Sequence, residues 1–148
     1  MRVVRSVDEM RELGRLIASH SRAGDLIVLS GPLGAGKTAL TQGIGAGLGI
    51  QGITSPTFVI SRVHKGNIPL IHVDAYRLLG GTNSAFEFYD LDLDTGRDSA
   101  ITVIEWGGEV GARFGEDFLE IIIEFGAEES ERKVNAISHG KRWEGFKV

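Results

Sequence analysis

Two rhythms of apolar residues open the chain. Met10, Leu13, Leu16 and Ile17 recur at helical spacing, and Gly24 closes the segment. Just ahead of them Ser6 and Glu9 have the spacing of a capping box, in which each side chain satisfies a free backbone N–H at a helix start. A helix is therefore predicted after a short strand at Arg2–Arg5. The rhythm then changes: Leu26–Leu29 is continuously apolar and of strand length, as on a strand buried on both faces. A glycine-rich turn, Gly31–Gly36, leads into a predicted helix over Lys37–Leu48. Gly43, Gly45 and Gly47 each cost that helix about 1 kcal/mol in propensity relative to alanine. Close packing against the sheet is the expected reason for them.

Further along, Phe58–His64 and Ile68–Asp74 read as strands joined by the turn Lys65-Gly66-Asn67. Ser84 and Glu87 offer a second capping box before a short acidic helix. Ala100–Ile104 is another continuous apolar run, ending on Glu105, and it reads as a central strand. Phe118–Phe125 and Lys133–Ile137 look like later, antiparallel strands. Strand, turn, helix, then further strands predicts a single α/β domain over residues 1–148, with a mixed, partly parallel sheet flanked by helices.

The turn between the first buried strand and its helix carries the chemistry. Gly31-Pro32-Leu33-Gly34-Ala35-Gly36-Lys37-Thr38 matches G-x-x-x-x-G-K-[ST] in the context that the motif needs. Glycines let the backbone curl into a nest of N–H groups for a phosphate, and the helix N-terminus adds positive potential there. Lys37 is placed to reach the phosphate oxygens, and Thr38 offers a hydroxyl to Mg²⁺. These features make the loop a P-loop, which also requires a carboxylate at a neighbouring strand end. Glu105 and Asp74 both qualify. Glu105, on the more continuous strand, is assigned to the metal. Asp74 is given a catalytic role near the γ-phosphate or its attacking water, against the simpler reading as a helix cap. His72 breaks the apolar pattern of Leu70–Val73, as on a strand with one exposed face. Thr54-Ser55-Pro56-Thr57 stands where many P-loop proteins sense the γ-phosphate, yet the same residues are ordinary turn formers.

Composition narrows the classes. With 148 residues, the chain can bury a core of its own. Its 21 glycines are about twice the usual share, which suits turns and close approaches. A net charge of −4 argues against nonspecific coating of nucleic acid. The absence of cysteine excludes disulfides, thiolate metal sites and cysteine nucleophiles. No run approaches the roughly 18 apolar residues of a spanning helix, and no signal-peptide pattern opens the chain, so a cytoplasmic protein without membrane contact is expected. The four histidines (His20, His64, His72, His139) lack metal-ligand spacing and read as structural or exposed. Glu87, Asp90, Asp92 and Asp94 read as a solvated acidic face, with contact to a partner or the nucleotide site as the alternative. The basic tail, about residues 139–148, contains Lys141, Arg142, Trp143 and Lys147. It mixes charge with aromatics as RNA-contacting segments do, but a frayed terminus is the simpler expectation.

Four blocks in order carry a resemblance: Leu33-Gly34-Ala35-Gly36-Lys37-Thr38, Ser55-Pro56-Thr57-Phe58, His72-Val73-Asp74-Ala75-Tyr76-Arg77-Leu78 and Ile104-Glu105-Trp106. The chain resembles the bacterial TsaE family, small ATPases needed to make threonylcarbamoyladenosine in tRNA, over about Ser6 to Val134. The resemblance implies a Mg²⁺-dependent ATPase, weak alone, that works with the transferase TsaD and its paralogue TsaB and meets tRNA only indirectly or weakly. It implies that Thr38 and Glu105 bind Mg²⁺, that Asp74 and Lys37 serve hydrolysis, and that Ser55, Pro56 and Thr57 form a switch. The nucleotide-binding set becomes Gly34, Ala35, Gly36, Lys37, Thr38 and Ala39, with Val7 at the adenine and Arg132 and Lys133 near the nucleotide. Two positions depart from the family: Pro32 replaces an acidic residue and lacks an N–H, and Gly107-Gly108 replaces a Pro-acidic pair.

Two other functions use the same loop. A small-molecule kinase usually has an arginine-rich lid, whereas Arg77, Arg97 and Arg113 are scattered singly. A nonenzymatic switch of the GTPase kind would read guanine through N-K-x-D, and neither Asn67 nor Asn135 is followed by lysine. ATP is therefore the expected nucleotide.

Overall fold

A computed structural model of the chain describes residues 1–32, 34–53, 61–74, 99–105 and 117–148. The expected switch at Ser55–Thr57, the second capping box, the acidic stretch and the Gly107-Gly108 pair lie outside the described residues. Those that are described form β1 (Arg2–Val4), α1 (Val7–Ser19), β2 (Leu26–Ser30), α2 (Lys37–Gly47), β3 (Ser61–His64), β4 (Leu70–Asp74), β5 (Ile101–Glu105), β6 (Phe118–Phe125) and β7 (Arg132–His139). The strands make one sheet in the order β1-β7-β6-β2-β5-β4-β3. Its middle is parallel: β2 pairs with β5 on one side and β6 on the other, and β4 continues beyond β5. The outer pairs β1–β7, β6–β7 and β3–β4 are antiparallel. The mixed α/β sheet expected from the sequence is the one observed.

Local chemistry explains where α1 begins. The Ser6 hydroxyl accepts a hydrogen bond from the Glu9 N–H at 3.0 Å. The return arm of the capping box reaches one residue further back than its usual place: Glu9 Oε2 accepts from the Arg5 N–H at 2.7 Å. Met10, Leu13, Gly14, Ile17 and Ala18 then form the buried stripe of the helix. They meet Leu40 and Ile44 of α2 and the facing residues Ile27 and Leu29 of β2 in one core. Each fully buried aliphatic side chain contributes about 1.5–3 kcal/mol.

The glycines of α2 answer to the neighbouring helix rather than to the sheet. A Cβ on Gly43 would fall on the Arg11 carbonyl of α1, and one on Gly47 would lie 2.6 Å from Ala18 Cβ. Gly14 of α1 faces the Leu40 carbonyl in the same way, while Gly45 is stopped by Ile53. The two backbones therefore approach more closely than side chains would permit. Propensity alone makes Gly43→Ala stabilising by about 1 kcal/mol. Overpacking typically costs about 1–3 kcal/mol, and here it acts against backbone that cannot turn aside. Net destabilisation is the expected result of urea unfolding, and a gain in stability would show that the helices separate freely.

The tail is docked rather than frayed. Arg142 donates to both oxygens of buried Asp25, at 2.9 and 2.8 Å, and to the His20 carbonyl at 2.7 Å. Trp143 is 2% exposed and belongs to the core, and Phe146 packs edge-on against it and against His20. Asp117 Oδ1 accepts from the Lys141 and Arg142 N–H groups, which fixes the turn that leads there. Of the residues that looked suited to RNA, Arg142 and Trp143 are thus spent on closing the end of α1, while Lys141 and Lys147 are exposed.

Candidate functional site

The phosphate loop leaves the C-terminal end of β2 between two parallel neighbours. At Gly31 a Cβ would lie 2.6 Å from the Ile123 carbonyl of β6, so glycine is what allows the strand and loop to pass. The Ala35 N–H donates to the Pro32 carbonyl at 3.1 Å, closing a turn. Gly34 and Gly36 take positive φ values of 80° and 111°, which a side chain would strain. Gly36 is the N-cap of α2 and supplies no side-chain cap, so the dipole and first N–H groups of the helix serve the loop. The missing N–H of Pro32 removes no bond from this turn, whose acceptor is the proline's carbonyl.

Lys37 is 6% exposed, and its Nζ donates to the Gly31 carbonyl at 2.8 Å and the Pro32 carbonyl at 2.9 Å. Its ammonium is thus held across the loop rather than in solvent. One residue on, the Thr38 hydroxyl donates to Glu105 Oε1 at 3.4 Å, across 67 positions of sequence. The sheet makes this contact possible. Leu29, next to the end of β2, pairs in register with Glu105 of β5, and Glu105 pairs with Asp74 of β4. Both carboxylate-bearing residues therefore stand at strand ends on the edge of the sheet where the loop begins.

A second polar group meets Glu105. His72, buried completely, has Nε2 3.5 Å from Glu105 Oε2. This overturns the expectation of an exposed strand face at His72. β4 is an internal strand with β3 and β5 on either side, and Leu70, Ile71 and Val73 are buried as well. The signal was present in the sequence as a histidine within an apolar run two residues before a site carboxylate. Only the strand register reveals which group it faces.

On the other side of the loop, Ser6, Val7, Met10, Gly34, Ala35, Gly36, Ala39, Ser130 and Arg132 line a cavity of about 150 Å³. The expected nucleotide-binding residues Val7, Ala39 and Arg132, which are far apart in sequence, are brought together there with the loop. Arg132 lies over the loop: its Nε donates to the Ala35 carbonyl at 3.2 Å and its Nη1 to the Glu129 and Glu131 carbonyls at 2.6 and 2.9 Å. Its guanidinium also stacks 4.8 Å from the Phe125 ring. Lys133 does not line the cavity. As the next residue of β7 it falls on the opposite face from Arg132 and the core residue Val134. Met10 and Ser130 were not foreseen; Met10 follows the core spacing of α1 and doubles as cavity wall.

A loop of this sequence and backbone, between a parallel strand and a helix and beside a half-buried threonine hydroxyl paired with a buried carboxylate, defines the P-loop nucleotide-binding class. The chain aligns with a crystal structure of YdiB from Bacillus subtilis at a TM-score of 0.77 and 29% identity, covering 97% of this chain and 87% of that one. It belongs to the TsaE family: the model for "Threonylcarbamoyl adenosine biosynthesis protein TsaE" matches residues 4–134. Among curated relatives, the tRNA threonylcarbamoyladenosine biosynthesis protein TsaE of Streptomyces coelicolor is 49% identical over 90% of this chain and 93% of its own length. The Bacillus subtilis protein of the same name is 34% identical over 93% and 84%. Among the described residues, no helix is long and apolar enough to cross a membrane.

Proposed function

We propose that this chain is a Mg²⁺-dependent ATPase serving threonylcarbamoyladenosine formation in tRNA, in concert with TsaD and TsaB. The observation that carries the reading is the Thr38–Glu105 contact beside Lys37 at the start of α2. A hydroxyl and a carboxylate are hard oxygen donors, and Mg²⁺ is usually held by one or two protein groups, with phosphates and water completing its shell. Among the described residues no cluster of three or more acidic or histidine side chains competes as a metal cage. Thr38 and Glu105 would hold the ion, which when bound supplies charge neutralisation on the phosphates.

In this reading, Lys37 leaves its loop carbonyls for the β- and γ-phosphate oxygens, and the glycine-shaped turn offers its N–H groups to the β-phosphate. The cavity lined by Val7, Met10 and Ala39 takes the adenine, with Arg132 at its rim. Lys133 influences the nucleotide only at a distance. Asp74, in register with Glu105, orients the attacking water. Ser55, Pro56 and Thr57 act as the segment that reports nucleotide state to the partners. The test is multiple-turnover modification of tRNA by TsaD and TsaB with the wild-type chain, with Asp74→Ala, or with neither. Modification is expected only with wild type. Equal modification in all three would sink the proposal and move a small-molecule kinase to first place.

A further inference from the structure

We propose that His72 is a positioning residue for the Glu105 carboxylate, an inference that rests on the reading of Glu105 as the metal-linked group. Three observations carry it. His72 is completely buried, yet neither ring nitrogen has a hydrogen-bond partner among the described residues. Buried polar groups are ordinarily satisfied, and a leucine at this position would remove the orphan. Along its own strand and toward β5 the packing asks for no imidazole, since Leu70, Ile71, Val73 and its β5 register partner Val103 are apolar and buried; its register partner on β3 is Arg62.

The third observation is direction. Glu105 is 3% exposed, and its two oxygens have different neighbours: Oε1 faces the Thr38 hydroxyl at 3.4 Å and Oε2 faces His72 Nε2 at 3.5 Å. His72 and Glu105 lie on the same face of the sheet, because His72 pairs with Val103, two residues before Glu105. Nε2 therefore stands beside the oxygen turned away from Thr38, at 3.5 Å and short of a formed hydrogen bond. In the proposal an N–H on Nε2 closes that gap when the site is loaded, which fixes Oε2 and keeps Oε1 turned toward the phosphate loop. Partners that orient a ligating carboxylate typically affect metal affinity by about 10–100-fold. The device needs only an N–H at the position of Nε2, whatever the charge on the ring.

The experiment compares affinity for a non-hydrolysable ATP analogue with Mg²⁺ and with chelator, by calorimetry, together with thermal unfolding of the ligand-free chain. His72→Leu is expected to lower the Mg²⁺-dependent gain in affinity about tenfold. Its metal-free affinity stays at wild type and its unfolding midpoint at or above wild type. His72→Gln, whose amide nitrogen can reach the Nε2 position, is expected to retain the gain within about threefold, a rescue that a merely structural role would not produce. Glu105→Ala serves as the reference. If Glu105→Ala abolishes the gain and His72→Leu leaves it intact, the inference is wrong and the metal assignment stands. If Glu105→Ala keeps the gain, the assignment itself fails and takes the inference with it. A His72→Leu chain that unfolds early, with His72→Gln no better at binding, would make the histidine a core residue and overturn the inference.

Discussion

Mixed with TsaD and TsaB, the wild-type chain is expected to hydrolyse ATP about 10³–10⁵ times faster than alone. The expectation follows from what the site contains. A loose phosphoryl-transfer transition state needs positive charge spread around the γ-phosphate. Among the described residues, Lys37 is the cation of the loop itself, and the nearby arginine, Arg132, has Nε and Nη1 occupied by backbone carbonyls. Among the described residues the loop serves ground-state phosphate binding more fully than it supplies transition-state charge, so a partner that inserts a cation is expected to gain much. Steady-state phosphate release at saturating ATP, with and without the pair, measures it. Rates that match within a factor of a few would mean that the chain is complete by itself. Asp74→Ala in the same mixture should fall toward the unstimulated rate with its ATP affinity little changed, because positioning water acts on the transition state.

The second large effect concerns binding. Lys37→Ala is expected to weaken ATP affinity by roughly tenfold to over a hundredfold, the worth of a charge-assisted hydrogen bond of about 1.5–3 kcal/mol. A further loss arises within the loop. Nζ ties the Gly31 and Pro32 carbonyls together, and alanine would release both, leaving the turn to the Ala35 N–H and the Arg132 guanidinium. The same substitution should therefore loosen the loop before any nucleotide arrives. Calorimetric titration with ATP decides the first part, and wild-type affinity in the mutant would remove the loop from phosphate recognition. Amide hydrogen exchange at residues 34–38 decides the second.

What the sequence made legible was local. Leu26–Leu29 announced itself as a continuous apolar run of strand length, Phe118–Phe125 as an apolar stretch broken only by Glu120 and Glu124, and both appear where expected. Ser6 and Glu9 fixed the start of α1 through bonds spanning three or four residues. The phosphate loop was legible because its chemistry is written in consecutive positions. What failed depended on distant partners. His72 looked like an exposed face until β5 placed Glu105 beside it. Gly43 and Gly47 signalled close approach, but only the fold shows that α1 is what approaches. Arg142 and Trp143 looked frayed because the partner that holds Arg142, Asp25, lies 117 residues earlier.

The pairing of β1 with β7 has a consequence for how the chain is made. During synthesis, the first strand emerges long before the strand it must lie against, and α1 waits equally long for the Arg142 and Trp143 contacts. Contacts of such separation close slowly, because the intervening chain must be ordered first. The phosphate loop shares that delay, since the Arg132 guanidinium over the Ala35 carbonyl belongs to the last strand. A nascent chain that has exposed only its first hundred residues carries the motif without its brace. Ribosome-bound intermediates should therefore hold nucleotide poorly until β7 has emerged.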